Sequence, residues 1–292
     1  MKISIATKFN LVFICIFATG FVASGLIANA LLKDSAREET LQNARFLLES
    51  ALSVRTYTSK QIAPLLIADM ENQFHPQSVP SYAATENLNT LLKSYAQFTY
   101  KEATLNPTNL RDKASDWEAD VVQKLRSDPN MKEFVGERDT VIGRTLYIAR
   151  PLQIKDGACL VCHSTAGAAP KTMTDIYGVN NGFGWKLNEV VGAQVISVPM
   201  TVPLERASAI FKTFMLSLLG VFLCVFIGLN LMVHFLVTRR ITRLEHLANE
   251  VSMGKFDVAE FDVKGNDELS TLAQSFGRMR TSLVSALKML EE

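Results

Sequence analysis

The sequence predicts an α+β domain held between two membrane-crossing helices and followed by a coiled coil. Three observations carry this. Two uncharged apolar runs, Leu11–Leu32 and Thr213–Val237, flank the middle of the chain. Between them, helical periodicity comes first and β-branched alternation later, the order of an α+β domain. After the second run, two segments space their apolar residues alternately three and four apart, which is a heptad seam.

Each run exceeds the roughly 20 residues needed to cross a ~30 Å hydrocarbon core. A cleaved signal peptide competes for the first run, but its apolar region is usually about 7–15 residues, and no clear small-x-small site ends this one. The second run is apolar on every side, which a buried core helix rarely is for so long. Composition agrees: 48% of residues are hydrophobic and the mean hydropathy is +0.14. A net charge of +1 gives no sign of a nucleic-acid partner. Lys2 and Lys8 precede the first run, and Arg239, Arg240 and Arg243 follow the second. Both ends therefore read as cytoplasmic, and residues 33–209 as one extracytoplasmic domain. Residues 1–10 form the cytoplasmic N-terminus, and membrane lipid surrounds 11–32 and 213–237. Cys15 and Cys224 fall in the runs and read as small apolar residues.

The domain opens with a helix in which Leu41, Ala44, Leu48, Ala51 and Val54 recur at helical spacing. It continues from the first apolar run, and Pro64 ends or kinks it. Pro76, Pro80 and Pro107 divide the next stretch into loops and short helices. Thr140–Ile154 and Gly192–Met200 read as strands.

Between those strands lies "DGACLVCHSTAG", with Cys159, Cys162 and His163. On the oxidising side of a membrane a structural disulfide is one reading. A zinc site is another, although it takes about four ligands and only three are present. The third is C-x-x-C-H, the attachment sequence of c-type haem. Two thiols one helical turn apart can each add to a vinyl group, and the next imidazole then reaches the iron. With four cysteines and four histidines in the chain, this triplet arises by chance on the order of one time in a thousand.

The segments "YKEATLNPTN", "ARP", "ACLVCHSTAGAAP" and "GFGWKLNEVVGAQVISVP" resemble the haem-c-binding, PAS-like periplasmic sensor family, over nearly all of residues 33–205. The resemblance implies a PAS-type antiparallel sheet, a covalent haem c with its iron, and a place beside HAMP, kinase, cyclase or chemoreceptor modules. It implies that Cys159 and Cys162 bind haem and His163 ligates iron. Some relatives take the sixth ligand from the helical part as Cys or Met. This domain has no third extracytoplasmic cysteine, which leaves Met70, His75, Met200 or water. Arg150, Lys101 and Arg111 are candidates to pair with haem propionates, beside the plain alternative of solvated basic side chains. Trp185 and Tyr177 are candidates to pack on the porphyrin, beside ordinary core packing.

In the last segment Val237, Ile241, Leu244, Ala248 and Val251 form one seam; Leu269, Leu272, Phe276, Met279, Leu283, Ala286 and Leu290 form another. Gly254 stops the first helix, and Asn266 or Asp267 caps the second. Phe256, Val258, Phe261 and Val263 mark the connector. Short heptad helices of this kind bury their seams as a four-helix bundle in a parallel homodimer. The segment 238–290 resembles a cytoplasmic HAMP domain, departing from it at Arg240, where members often carry proline. An ordinary coiled coil is the alternative.

No nucleotide loop and no nucleophile–base pair marks an active site, so the chain is expected not to be an enzyme. No effector module follows the second seam. The expectation is a two-pass protein of the bacterial inner (plasma) membrane with a periplasmic redox or gas sensor. It would signal through HAMP to a cytoplasmic effector such as a histidine kinase or chemoreceptor. A membrane-tethered cytochrome carrying electrons is the alternative, and a haem-binding assembly factor a third.

Overall fold

The computed structural model describes residues 4–258 and 267–291. The chain divides into two units, residues 30–209 and residues 1–29 with 210–292.

The first apolar run lies in α1 (Ile5–Tyr57), which continues without a break into the unit of residues 30–209. There Leu41, Ala44, Leu48 and Ala51 are all buried, as their spacing predicts. Regular helix stops at Tyr57, seven residues before Pro64. A π-turn, Thr58–Ile62, intervenes, and Pro64 sits in the first turn of the short α2 (Ala63–Leu66). A proline ring collides with the carbonyl four residues back, and the wider π-turn makes room for it.

Then come α3 (Pro80–Leu92), β1 (Thr99–Thr104), α4 (Asp116–Ser127), β2 (Phe134–Thr140) and β3 (Gly143–Gln153). They are followed by α5 (Ala158–His163), α6 (Lys171–Tyr177) and β4 (Val190–Pro199). The strands form one antiparallel sheet in the order β1-β4-β3-β2. β3 and β4 are the two strands expected from the sequence. β1 lies inside a stretch expected to hold only loops and short helices, and β2 is a charged edge strand.

The sheet has a core on each face. On one, α1 and α3 (Ala84, Leu88, Leu92) pack on Tyr100, Leu146, Ile148, Ile196 and Val198. On the other, Val121, Val122 and Leu125 of α4 pack on Ala103, Ala149, Ala193 and Val195. Neighbouring strand residues such as Ile148 and Ala149 serve opposite cores, as the period of two requires. Glu118 closes a capping box with Ser115 and begins α4.

In the other unit, the second apolar run begins in α7 (Thr201–Val233) and its last four residues fall in the π-turn that follows. Both apolar helices are long and apolar enough to cross a membrane. They meet at Phe17 and Phe222, whose rings stack 5.1 Å apart. A Cβ on Gly25 would come within 3.2 Å of Met215, so a small residue permits the approach there. A π-turn, His234–Thr238, joins α7 to α8 (Arg239–Ser252), and α9 (Glu268–Glu291) follows.

Gly254 ends α8 with a φ of +81°. Asp267 caps α9, its Oδ1 accepting from the Ser270 N–H at 2.9 Å. Asn266, Phe261 and Val263 lie outside the described residues. Arg240 donates to Asp267 Oδ2 at 2.6 Å, tying the start of α8 to the cap of α9.

Candidate functional site

The Cys-x-x-Cys-His stretch folds as α5, a helix of little more than one turn. The Asp156 side chain starts it by accepting from the Ala158 N–H at 2.9 Å. Cys159 and Cys162, three apart, share a helix face. Both are half-buried and neither forms a disulfide. Burial, helped by Asp156, pushes the Cys159 thiol above its usual range; burial and the neighbouring Cys159 do the same for Cys162. Both are therefore protonated and poorly nucleophilic on their own at neutral pH.

His163 ends the helix with its ring fixed on several sides. Nδ1 lies 2.7 Å from the Gly182 carbonyl oxygen. A carbonyl only accepts, so Nδ1 carries the proton. Nε2 is then the lone-pair nitrogen, and it makes no hydrogen bond among the described residues. Thr108 Oγ1 stands 3.4 Å from Nδ1, and Trp185 stacks on the imidazole at 4.0 Å with 17° between planes. Burial holds the His163 pKa below its ordinary value, against the pull of the Gly182 carbonyl. The ring is a neutral imidazole with one nitrogen free to ligate, oriented by a carbonyl behind it.

The Gly182 carbonyl is itself held. Asn106 accepts from the Gly182 N–H at 3.1 Å and donates to the Phe183 carbonyl at 3.1 Å. Gly182 has a φ of +86°, and a Cβ there would lie 2.8 Å from the Thr108 Cα. Only glycine fits.

A buried polar network lies close by. Glu102 is 1% exposed and accepts from Arg55, from Ser81 at 2.6 Å and from the Tyr100 hydroxyl at 2.7 Å. Burial opposes the charge on Arg55, but the Glu102 carboxylate outweighs it and raises the guanidinium pKa; Arg55 also acts electrostatically on Cys159. Burial, with Glu102 adding to it, drives the Tyr100 hydroxyl far above its usual range.

Of the residues singled out from sequence, the fold brings together Cys159, Cys162, His163 and Trp185. Arg150 is held by Glu49 at 2.5 Å and Glu133 at 3.1 Å. Lys101 is held by Glu118 at 2.8 Å and by the Lys113 carbonyl. Arg111 pairs with Glu86 and Asp112. Tyr177 meets Phe74 edge-on. Met70 accepts from the α6 residue Thr172 through its carbonyl at 2.5 Å. His75 bonds Asp69 at 2.9 Å, and Met200 is buried in the α1-side core. Asn106, Thr108, Gly182 and Arg55 were not picked out as site residues. The segments that carry the family resemblance contain the first three, and nothing in the sequence marks Arg55.

Fold and site together define the class: an α+β domain with a Cys-x-x-Cys-His helix, joined to long apolar helices and then to a pair of heptad helices. Residues 33–199 match the Tll0287-like family, and residues 233–285 match the HAMP domain. The chain belongs to the Tll0287-like family and carries a HAMP domain after that region. This combination and the two apolar helices fit a membrane-anchored signalling protein. Among solved structures the chain is similar to the crystal structure of the cyanobacterial heme-protein Tll0287, at 11% identity and a TM-score of 0.42. That similarity covers 55% of this chain and 95% of the other. No curated protein matches the chain.

Proposed function

We propose that this protein is a membrane-anchored haem c sensor, responsive to redox state or a diatomic gas, that signals through its HAMP domain to a cytoplasmic effector. One observation carries the reading: a neutral His163, turned by the Gly182 carbonyl so that Nε2 is free, directly follows two unpaired thiols one helical turn apart. A disulfide would use the thiols but leave the histidine's orientation unexplained. Zinc would need a fourth donor, and no group of three or more His, Cys, Asp or Glu suited to a metal occurs among the described residues.

Bound there, haem would supply a redox-active iron able to take a sixth ligand. Cys159 and Cys162 would hold it covalently, and His163 would ligate it from Nε2. Trp185 restrains the imidazole ring. Of the sixth-ligand candidates, Met70 is the one tied to α6 and not already engaged through its own side chain. Arg150 and Lys101 would have to leave their carboxylates to meet a propionate. A sheet in which the first strand pairs with the last supports the PAS-like reading. The basic residues flanking the apolar helices support a periplasmic sensor domain and a cytoplasmic HAMP domain.

The test is to express the full chain with a c-type haem maturation apparatus. The expected product carries the added mass of one haem per chain through denaturation, and Cys162→Ser abolishes double attachment. Met70→Ala should convert a six-coordinate spectrum to one that binds CO readily. A colourless protein with no added mass overturns the proposal.

A further inference from the structure

The π-turn His234–Thr238 lies between the end of the second apolar helix and α8. In an unbroken α-helix, residues five apart stand about 140° apart around the axis. Here the Arg239 N–H donates to the His234 carbonyl across the π-turn, which brings those two positions into line. Arg243, His246 and Glu250 follow at steps of four, three and four, on the same face. The π-turn thus adds His234 to a row that α8 already forms. The row lines an open groove of about 590 Å³.

The row is basic over most of its length. Arg240, one position off it, is taken by Asp267. Arg239 and Arg243 form no ion pair among the described residues. The acid at the far end, Glu250, already has His246 at 3.7 Å and Lys255 at 4.0 Å. The groove therefore offers two open guanidiniums to an anion and no open carboxylate to a cation.

We infer that this groove binds the phosphate of an anionic phospholipid of the cytoplasmic leaflet, with Arg239 and Arg243 as its charge partners. The inference rests on the membrane topology proposed above. Two unpaired arginines at the end of a membrane-crossing helix lie at the depth of the headgroups. A zwitterionic headgroup would bring a cation into a groove whose one carboxylate is engaged. A lipid held there would fix the depth and rotation of the segment through which any signal must pass.

The test uses the full-length, haem-loaded chain in nanodiscs of equal phosphatidylglycerol and phosphatidylcholine, with co-released lipid counted by native mass spectrometry. Phosphatidylglycerol should be enriched. The double variant Arg239→Gln/Arg243→Gln should lower that enrichment about twenty-five-fold, each arginine counting for about five-fold. Lys288→Gln, in the last turn of α9 and away from the groove, should leave it unchanged. Equal enrichment in wild type and double variant overturns the site. Dialysis of the detergent-solubilised chain against inorganic phosphate should show no binding above that of the double variant; tight binding there overturns a lipid as the ligand. A fluorescent-protein fusion at the C-terminus is expected to glow, since it matures in the cytoplasm. An active alkaline phosphatase fusion instead would overturn the topology beneath the inference, whereas lost lipid preference with a glowing fusion overturns the lipid site alone.

Discussion

Gly182 shows how much of the site hangs on one backbone position. Its carbonyl fixes the His163 tautomer, its N–H is held by Asn106, and its left-handed φ admits no side chain. Gly182→Ala should therefore cost about 1–3 kcal/mol, read as a lowered denaturant midpoint. It should also broaden the spectrum of the proposed haem as the imidazole loses its anchor. Glu102 is a second such position. Glu102→Ala strands the Arg55 guanidinium, three-quarters buried, in a pocket built for a carboxylate. Breaking one side of a buried pair costs about 3–5 kcal/mol, so the melting temperature should fall sharply. Arg55→Met/Glu102→Leu together should recover much of it. At this scale the sequence was legible only where the chemistry is contiguous. Cys159, Cys162 and His163 stand within five positions of one another. The groups that orient them act through backbone, as the Gly182 carbonyl does, or one step removed, as Asn106 does by holding Gly182 from 76 positions away. A carbonyl acceptor leaves no mark in a sequence, because every residue has one.

Among the elements, the helices and the two buried strands were readable because their apolar residues keep a strict period. β1 was not. Its inward position Glu102 is charged, so the alternation that marks a half-buried strand is broken where burial is deepest. β2 fails for the complementary reason: "FVGERDT" is an edge strand whose charges pair outward, Glu137 with Arg37 and Arg144. The turn between β1 and α4 carries a pH dependence. Asp112 lies in a 3-10 turn, Leu110–Asp112, and burial raises its carboxyl from 3.8 to about 6, with Arg111 pulling the other way. The folded state thus binds this proton more tightly than the unfolded chain does. The contribution to stability is full below pH 4 and is lost as pH rises through 6. A shift of about two units corresponds to at most about 3 kcal/mol. Asp112→Asn should flatten that part of the stability–pH curve, measured as the difference between wild-type and variant denaturant midpoints from pH 4 to 7. At the α8–α9 junction, Arg240 and Asp267 make the link where related domains often place proline. Asp267→Ala removes both the cap and the ion pair, so amide exchange in the first turn of α9 should accelerate; Arg240→Ala should do so to a lesser degree.

At the scale of the whole molecule, the unit of residues 30–209 begins within α1 and ends within α7, the two helices long and apolar enough to cross a membrane. α1 contributes Leu41, Ala44 and Leu48 to the sheet's core, and β4 ends at Pro199, two residues before α7 begins. In the proposed mechanism, a rearrangement of the sheet would be passed to both helices. On the same proposal the pair α8 and α9 would receive it. α9 turns Ser270 and Ala273, 2% and 1% exposed, inward, while the seam residues Leu272, Met279 and Leu283 remain 47%, 49% and 44% exposed. These three seam positions of α9 are thus not covered within the chain, and in the proposed homodimer a second copy would cover them. Burying a leucine contributes about 1.5–3 kcal/mol. Leu272→Glu with Leu283→Glu should then weaken association of the full chain about a hundred-fold or more, measured by sedimentation in detergent, while the sensor unit keeps its cofactor. If the proposed haem drives the seam between two packings, cysteines introduced at Leu272 or Leu283 should crosslink at rates that differ between the oxidised and reduced protein. A differential of about 1.4 kcal/mol between packings is enough for a ten-fold change in their ratio. Dimers that form yet crosslink identically in both states would leave the HAMP domain as a tether and remove it as a transmitter.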